Sequence, residues 1–313
     1  PSMLSENELN QIFETIYQYF TPLPSAEITF EANPDDLTPQ KLQEFKKTPI
    51  NRLSIGIQTF NENTLSFLNR AHSKEEALNC IKNAQNIGFD KLNLDLIYGI
   101  QTMSLKDFEK DVNQLLALNS QHISAYCLTI EEKTTFGKWL EKGKLENVND
   151  QQAIEHYQLM IDLFNQKGFE QYEISNFAKN QNYAKHNTNY WKGKKYLGIG
   201  PGAHSFDGKV RQYNISNNPK YIRALSSNTI PFDSEILTQK DFVNEYIMTS
   251  LRTKWGTNLN EVDNLLDGNF LIKQESLINN FLKKKLIHLE SNTLFLTSEG
   301  KLLADYISSE LFI

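Results

Sequence analysis

One segment of the chain concentrates side chains that could bind a flat, partly apolar ligand. His186, Tyr190 and Trp191 lie in one short run, and His204 follows after a glycine-rich stretch. A neutral imidazole can bind a metal, and the aromatic rings can stack on a planar molecule. Residues 183–205 show neither helical nor strand periodicity. They therefore predict either a binding site or an aromatic loop that seals a boundary between domains.

The glycine-rich stretch within this segment reads G-I-G-P-G-A at residues 198–203. Glycine tolerates positive φ, so the backbone here can approach a ligand or another strand closely. The pattern superficially resembles a dinucleotide-binding loop. We reject that interpretation because no strand–helix unit with a later acidic residue surrounds it, and Pro201 is unsuited to the helix start that such a loop requires.

Three acidic or amide side chains form a second set of candidate groups. Glu31, Gln58 and Asp95 lie on predicted strands in which polar and apolar residues alternate. Parallel strands that are buried on both faces are normally almost entirely apolar. Unpaired polar groups in a filled core would cost a few kcal/mol each. The alternation therefore predicts a partial barrel whose interior holds water or a ligand, with these residues near the strand ends where sites lie.

The elements that must position these groups alternate along the chain. Strands are predicted at 26–33, 52–59, 91–98 and 122–130, and helices separate them. Four such repeats predict an α/β fold with parallel strands, either an open doubly wound sheet or a barrel. A short strand follows at 170–174 and a helix at 219–225. The C-terminal part is predicted to be mainly helical, with a strand at 294–297. We place the domain boundary between residues 1–232 and 233–313.

Composition excludes several classes of partner. The 313-residue chain has a net charge of −6 and no basic stripe, so nucleic acid is not expected as a partner. Its longest apolar runs are too short for a transmembrane segment. Cys80 and Cys127 are far apart and have no C-x-x-C partners, which is typical of a reducing compartment and forms no metal site. We therefore expect a cytoplasmic protein.

Several motifs together resemble the HemN/HemW group of radical S-adenosylmethionine (SAM) proteins. The resemblance extends over nearly the whole chain, and H-N-x-x-Y-W is similar to the HemW branch, the haem chaperones. The motifs that carry it are E-A-N-P-D-D at 31–36, R-L-S-I-G-I-Q-T-F at 52–60, N-L-D-L-I-Y-G at 93–99, Y-E-I-S-N-F-A at 172–178, H-N-T-N-Y-W at 186–191, Y-L-G-I-G-P-G-A-H-S at 196–205 and L-T-S-E-G-K-L-L at 296–303.

The resemblance implies a partial (β/α)6 radical SAM barrel with a small, winged-helix-like C-terminal domain. It also implies a [4Fe-4S] cluster held by a C-x-x-x-C-x-x-C motif, which this chain does not contain. Pro1-Ser2 resembles the end of a family motif, so we expect that the first two βα units are missing. We therefore expect that this chain does not hold the cluster. We also expect that the open flank of the barrel causes self-association.

The resemblance further implies roles for individual residues. Carboxylate, amide and guanidinium groups suit the polar ends of SAM, and the residues similar to SAM contacts are Glu31, Gln58, Arg70, Asp95 and Thr129. On the haem side, the resemblance implies that His186 is an axial ligand of the iron. Tyr190 and Trp191 would pack on the macrocycle.

The resemblance implies a haem chaperone that binds haem and transfers it to an unidentified acceptor protein. The alternative is an oxygen-independent coproporphyrinogen III dehydrogenase, which is a radical SAM enzyme of porphyrin biosynthesis. A third possibility, of a different class, is an inert fragment of either protein. Whether the chain is an enzyme is left open by the sequence.

Overall fold

The computed structural model describes residues 1–266, 268 and 270–313. Their contacts divide the chain into two compact units, Pro1–Tyr183 and Ala184–Ile313. Strand Phe232–Ile236 spans the boundary expected from the sequence between residues 232 and 233. That boundary stays a prediction about family domains. Among the described residues, no helix is both long and apolar enough to cross a membrane.

A six-stranded sheet forms the centre of the first unit. Its strands are β1 Thr29–Ala32, β2 Arg52–Gln58, β3 Leu92–Tyr98, β4 His122–Cys127, β5 Glu170–Glu173 and β6 Asn176–Ala178. They lie in the order β1-β2-β3-β4-β6-β5. Strands β1 to β4 are parallel, whereas β6 pairs antiparallel with both β4 and β5. The four predicted parallel strands and the α/β class are confirmed.

Helices separate the parallel strands, as the alternating pattern predicts. The helices of the first unit are α1 Glu6–Tyr19, α2 Pro39–Lys46, α3 Glu62–Phe67, α4 Lys74–Ile87, α5 Leu105–Ala117, α6 Thr135–Glu141 and α7 Asp150–Gln166, with a 3₁₀ turn at Pro34–Asp36. Helices α1 and α4 begin with capping boxes at Ser5 and Ser73, where the side-chain oxygen accepts from a first-turn amide. Helix α4 ends at Gly88 in the left-handed conformation.

The two faces of the parallel strands differ as the sequence alternation predicts. On one face Leu53, Ile55, Leu94 and Ile123 are fully buried and form the core of the first unit. The other face carries polar side chains, and these form the first candidate site described below. Strand β1 lies at an edge of this sheet. The self-association expected from such an edge stays a prediction.

The second unit is mainly helical and contains two small antiparallel sheets. Its helices are α8 Lys185–Trp191, α9 Asn218–Ser226, α10 Gln239–Leu251, α11 Leu259–Leu266, α12 Phe270–Lys273, α13 Glu275–Lys283, α14 Ser298–Lys301 and α15 Ala304–Glu310. The sheets have the orders β7-β8-β9 and β10-β12-β11. Their strands are β7 His204–Phe206, β8 Val210–Asn214, β9 Phe232–Ile236, β10 Thr257–Asn258, β11 Ile287–Glu290 and β12 Thr293–Leu296.

Two local predictions differ from the structure. The segment predicted to be irregular contains helix α8, which begins at Ala184 without a side-chain cap. Such a helix lacks the usual start signal, so contacts with distant residues must stabilise it. The single strand expected at 170–174 is the first half of the hairpin β5–β6. This hairpin turns back antiparallel and extends the sheet beside β4.

Candidate functional site

The strand register aligns polar side chains on one face of the first unit's sheet. Residues paired across neighbouring strands point to the same face. Two polar rows cross the sheet in this way, Glu31–Ser54–Asn93–His122 and Asp95–Ser124–Asn176. The register thus brings the predicted site residues Glu31 and Asp95 to one face, together with polar residues that the sequence analysis did not single out.

A directed chain of hydrogen bonds runs from the hairpin to Asp95. The Asn93 side-chain amide donates to Asp95 Oδ1 at 2.7 Å. Its carbonyl oxygen lies 2.6 Å from His122 Nδ1, so this nitrogen must carry the proton. His122 Nε2 then accepts from the Tyr172 hydroxyl at 2.8 Å. Burial lowers the pKa of His122 to about 3, so the imidazole is neutral and its tautomer is defined by this chain.

Further bonds extend this chain into a network. Asn93 also donates to Ser54 Oγ at 2.8 Å, and the Ser124 hydroxyl lies 3.1 Å from the Asn93 carbonyl oxygen. Ser124 also contacts Asn176 Oδ1 at 2.7 Å, and the Asn176 amide donates to Glu173. Because buried polar groups are costly unless they are hydrogen-bonded, this network holds its members in one arrangement.

The network orients the carboxyl group of Asp95, and the burial of that group shifts its pKa. Burial raises the pKa of this carboxyl to about 6, although the hydrogen bond from Asn93 acts in the opposite direction. The side chain is nevertheless partly exposed on the polar face. A carboxyl that is both reachable and shifted in this way is a candidate contact for a ligand that carries hydrogen-bond donors or positive charge.

Gln58 and Arg70 meet at the end of β2. A register shift lies between Ile55 and Gln58, and Gln58 has a positive φ of 69°. Arg70 Nη2 donates to Asn33 Oδ1 at 2.7 Å and to the Gly56 carbonyl at 3.2 Å. A Cβ on Gly56 would lie 2.9 Å from Gln58 Nε2. Glycine at this position therefore leaves the space that the two polar side chains occupy.

The other two residues with an expected SAM role lie in more open positions. Glu31 is exposed on the polar face of β1. Thr129 is exposed two residues beyond β4, and its hydroxyl lies 3.5 Å from the Cys127 carbonyl. Neither position tests the expected role. The sequence analysis did not single out His122, Asn93 or Tyr172, because their partnership becomes visible only when distant strands are aligned.

The resemblance to radical SAM proteins implies a [4Fe-4S] cluster, and the cysteines of this chain do not fit one. Cys80 is buried in α4, and burial raises the pKa of its thiol to about 12. Cys127 lies at the end of β4 on a separate element. Among the described residues, no group of three or more His, Cys, Asp or Glu side chains could hold a metal ion. Clusters of this kind require several thiolates close together.

The polar face fits SAM better than it fits the cluster. SAM presents a carboxylate, an ammonium group and ribose hydroxyls, which require partners of opposite polarity. Arg70 and Asp95 supply a cation and an acidic group. In the described part of the chain, buried Arg70 Nε has no hydrogen-bond partner. A buried donor of this kind favours an additional acceptor at the site.

The second candidate site is an aromatic cluster on α8. His186 and Tyr190 are one helical turn apart, and their ring centroids lie 4.7 Å apart at nearly a right angle. Tyr190 in turn lies 4.5 Å from Tyr196. His186 is exposed, and Tyr190 is 39% exposed. The helix thus presents an imidazole beside a continuous aromatic surface, the chemistry that the sequence predicts for this segment.

Trp191 has a different environment from His186 and Tyr190. It is half-buried, and the Arg252 guanidinium carbon lies 5.6 Å from its ring centroid. On the next residue, Lys192 Nζ lies 4.3 Å from the Trp255 ring. These cation–π contacts fasten the end of α8 to the C-terminal end of α10 and the segment that follows it. Within the described residues, Trp191 Nε1 has no hydrogen-bond partner.

The glycine run after this helix builds a close chain reversal. A Cβ on Gly198 would lie 2.0 Å from the His204 carbonyl oxygen, so only glycine fits beside this strand. Gly200 and Gly202 have φ values of 109° and 69°, which favour glycine. Of the two uses that the sequence allows for this run, the structure shows the approach to a strand. His204 itself is exposed, and its ring lies 5.8 Å from Tyr213.

Comparisons with known proteins agree with this architecture. The radical SAM superfamily model matches residues 6–115. The Heme chaperone HemW of Bacillus subtilis (strain 168) is 34% identical over 98% of this chain and 82% of its own length. The HemW of Lactococcus lactis subsp. lactis (strain IL1403) is 27% identical over 96% of this chain and 79% of its own. The solved structure of coproporphyrinogen III oxidase (HemN) from Escherichia coli superposes with a TM-score of 0.85 at 20% identity, covering 100% of this chain and 75% of that one.

The sheet, the surrounding helices and the matching domain define a radical SAM protein. Identity of 34% across almost the whole chain defines the branch more closely. The chain belongs to the HemW family. The resemblance noted from the sequence motifs is therefore confirmed, whereas the roles assigned to individual residues stay predictions.

Proposed function

We propose that this protein binds haem and transfers it to an acceptor protein. The observation that carries the proposal is the 34% identity, over 98% of the chain, with a protein named Heme chaperone HemW. The exposed imidazole of His186 beside Tyr190 supports it, because neutral imidazole is a common axial ligand of haem iron. Tyr190 offers a ring edge and face against which a macrocycle could pack.

We also propose that the polar sheet face holds SAM. Arg70 would pair with the SAM carboxylate, and Asp95 would accept from its ammonium or ribose groups, with Gln58, Glu31 and Thr129 around them. When bound, SAM supplies an electrophilic sulfonium centre. The neutral His122–Asn93 pair would keep the Asp95 carboxylate aimed at the ligand.

We do not propose the dehydrogenase alternative for this chain. The likeness to HemN, at 20% identity, concerns the fold alone. The names of the relatives that match almost the whole chain point to a haem chaperone. A cytoplasmic location and the identity of the acceptor stay predictions. The two unpaired cysteines favour a reducing compartment.

A haem titration followed by absorbance tests the proposal. Wild type should bind haem with a distinct Soret band, and His186→Ala should shift that band and weaken binding by at least about tenfold, a loss of about 1.4 kcal/mol. His288→Ala is the matched control, because it removes an exposed histidine of the same unit that belongs to neither candidate site. Haem-loaded wild type should then lose its haem to added apomyoglobin. Absence of binding by wild type would overturn the proposal. Equal spectra and affinities for wild type and His186→Ala would remove His186 from it.

A further inference from the structure

We infer that a cavity beside the aromatic cluster is a subsite for the propionate-bearing edge of a porphyrin, with Lys195 as the partner of one carboxylate. This inference rests on the proposed haem binding and extends it to a second set of residues. The cavity lies entirely within the second unit, against strands β7 and β8, and has a volume of about 500 Å³. That volume lies in the range of small-molecule sites.

The lining of the cavity has two chemically distinct parts. Tyr196, Phe206 and Val210 supply apolar surface, whereas Lys195 and Ser205 supply polar groups. Such a division fits an amphipathic ligand, with a ring system against the aromatic wall and charged groups at the polar end. Haem has this character, because two propionates lie on one edge of an apolar macrocycle.

Continuity with the His186 cluster selects this occupant. Tyr196 is at once a wall of the cavity and the ring on which Tyr190 packs at 4.5 Å. The Tyr190 ring centroid lies 4.7 Å from that of His186, and the Phe206 centroid lies 6.1 Å from that of Tyr196. A series of neighbouring aromatic rings therefore leads from the proposed axial ligand to the cavity. A planar macrocycle bound at His186 could lie along this surface and reach the polar end.

Charge at the cavity favours an anionic group. The chain as a whole carries a net charge of −6, yet the run W-K-G-K-K-Y at 191–196 places three lysines beside Tyr196. Lys192 is engaged with the Trp255 ring, whereas Lys195 lines the cavity. The Ser205 oxygen accepts from the Gly198 amide at 2.9 Å, which leaves the hydroxyl hydrogen able to donate to a carboxylate.

Asp207 also lines the cavity and must be compatible with an anionic ligand. Its Oδ1 accepts from the backbone amides of Lys209 and Val210 at 2.8 and 2.7 Å. These two bonds, with a smaller contribution from Lys195, lower the pKa of the Asp207 carboxyl. The carboxylate is thus committed to the turn that follows β7. Lys195 remains the cationic group of the cavity lining, and its stem runs beside Gly208.

The test compares two probes, haem and haem dimethyl ester, in which both carboxylates are masked. Each is titrated into wild type, Lys195→Met and Lys194→Ala. Methionine keeps the apolar stem beside Gly208 and removes the charge. Lys194→Ala is the matched control, because Lys194 is an exposed lysine of the same run that does not line the cavity.

Lys195→Met should weaken haem binding by about tenfold, the effect of losing one charge-assisted hydrogen bond. Lys194→Ala should change it by less than about twofold. The dimethyl ester should bind wild type and Lys195→Met equally. Lys195→Arg keeps the positive charge and should retain most of the affinity for haem. Weak binding by Lys195→Met together with strong binding by Lys195→Arg would show that the charge matters and that substitution at this position does not in itself unfold the protein. Haem binding that is the same in wild type and Lys195→Met overturns this inference and leaves the proposed function intact. Failure of wild type to bind haem overturns both.

Discussion

The two candidate sites hold their functional side chains by opposite means. On the polar face of the first unit, Asp95 is aimed by hydrogen bonds through Asn93 and His122 to Tyr172, and the last two of these residues are nearly or fully buried. In the second unit, His186 is exposed and contacts Tyr190 ring to ring. The first site is therefore preorganised around small polar groups, whereas the second offers an aromatic surface to a large planar molecule.

This difference has consequences for how each site responds to substitution. Removing one partner from a buried hydrogen-bond network leaves other groups unsatisfied, and each costs about 1–3 kcal/mol. Removing one exposed ring from an aromatic cluster loses little more than a contact. Substitutions in the first site should thus act mainly on stability, and those in the second mainly on binding.

The largest effect is expected for Asn93→Leu. Leucine has a similar volume but removes the hydrogen bonds to Ser54, Asp95 and His122 at once. The free energy of unfolding should fall by about 3 kcal/mol or more, measured by urea denaturation with circular dichroism. Asn63→Ala, at an exposed position of α3, should change it by less than about 0.5 kcal/mol. A loss below about 1 kcal/mol for Asn93→Leu would show that the network contributes little.

The next effect depends on pH and belongs to Asp95. Its pKa is raised from 3.8 to about 6 in the folded protein, so folding disfavours the carboxylate form. The resulting cost is fully present above pH 6 and disappears below pH 3.8. Asp95→Asn removes this cost, so the variant should be about 3 kcal/mol more stable than wild type at pH 8.

The same comparison at pH 4 provides the internal check on Asp95. There the stability advantage of Asp95→Asn should almost vanish, because the wild-type carboxyl is itself protonated in the folded protein. Asp90→Asn, at an exposed position before β3, should show a difference of less than about 0.5 kcal/mol at both pH values. An advantage of Asp95→Asn that persists unchanged at pH 4 would contradict the assignment of the raised pKa to this residue.

The polar site was partly predictable because strand periodicity is a local signal. Alternation within each strand placed Glu31 and Asp95 on one face, and the register confirms that they share it. The link from His122 to Tyr172 could not be predicted in this way. It depends on the hairpin β5–β6 returning antiparallel beside β4, and no local pattern specifies that pairing.

For the aromatic site, the sequence predicted which residues take part but not the secondary structure that carries them. His186 and Tyr190 were recognised as candidates, yet the helix that carries them was predicted to be irregular. Helix α8 has no side-chain cap at Ala184, and its asparagine, threonine and aromatic residues are weak helix formers. Contacts such as that of Arg252 with Trp191 compensate, and they join residues far apart in the sequence.

Arg252→Met tests that compensation and should have a moderate effect. Losing the cation–π contact with Trp191 should lower the free energy of unfolding by about 1 kcal/mol. Arg252 also pairs with Asp305, but that carboxylate is exposed, so the ion pair should contribute little. Asp305→Asn isolates this contribution and should cost less than about 0.5 kcal/mol. If Arg252→Met and Asp305→Asn lowered the free energy of unfolding equally, the effect would belong to the ion pair. The cation–π contact with Trp191 would then not stabilise α8.

The smallest effect on stability is expected for His186→Ala. The imidazole is exposed, and in its contact with Tyr190 the edge of one ring meets the face of the other, so its removal should cost about 0.5 kcal/mol. Thermal melts of wild type and His186→Ala without haem should therefore nearly coincide. Because haem stabilises whatever state binds it, the melts should separate when haem is added, with only wild type gaining the full increase. If His186→Ala lowered the free energy of unfolding by more than about 2 kcal/mol without haem, His186 would be a structural residue. The aromatic site would then depend on its side chains for stability, as the polar site does.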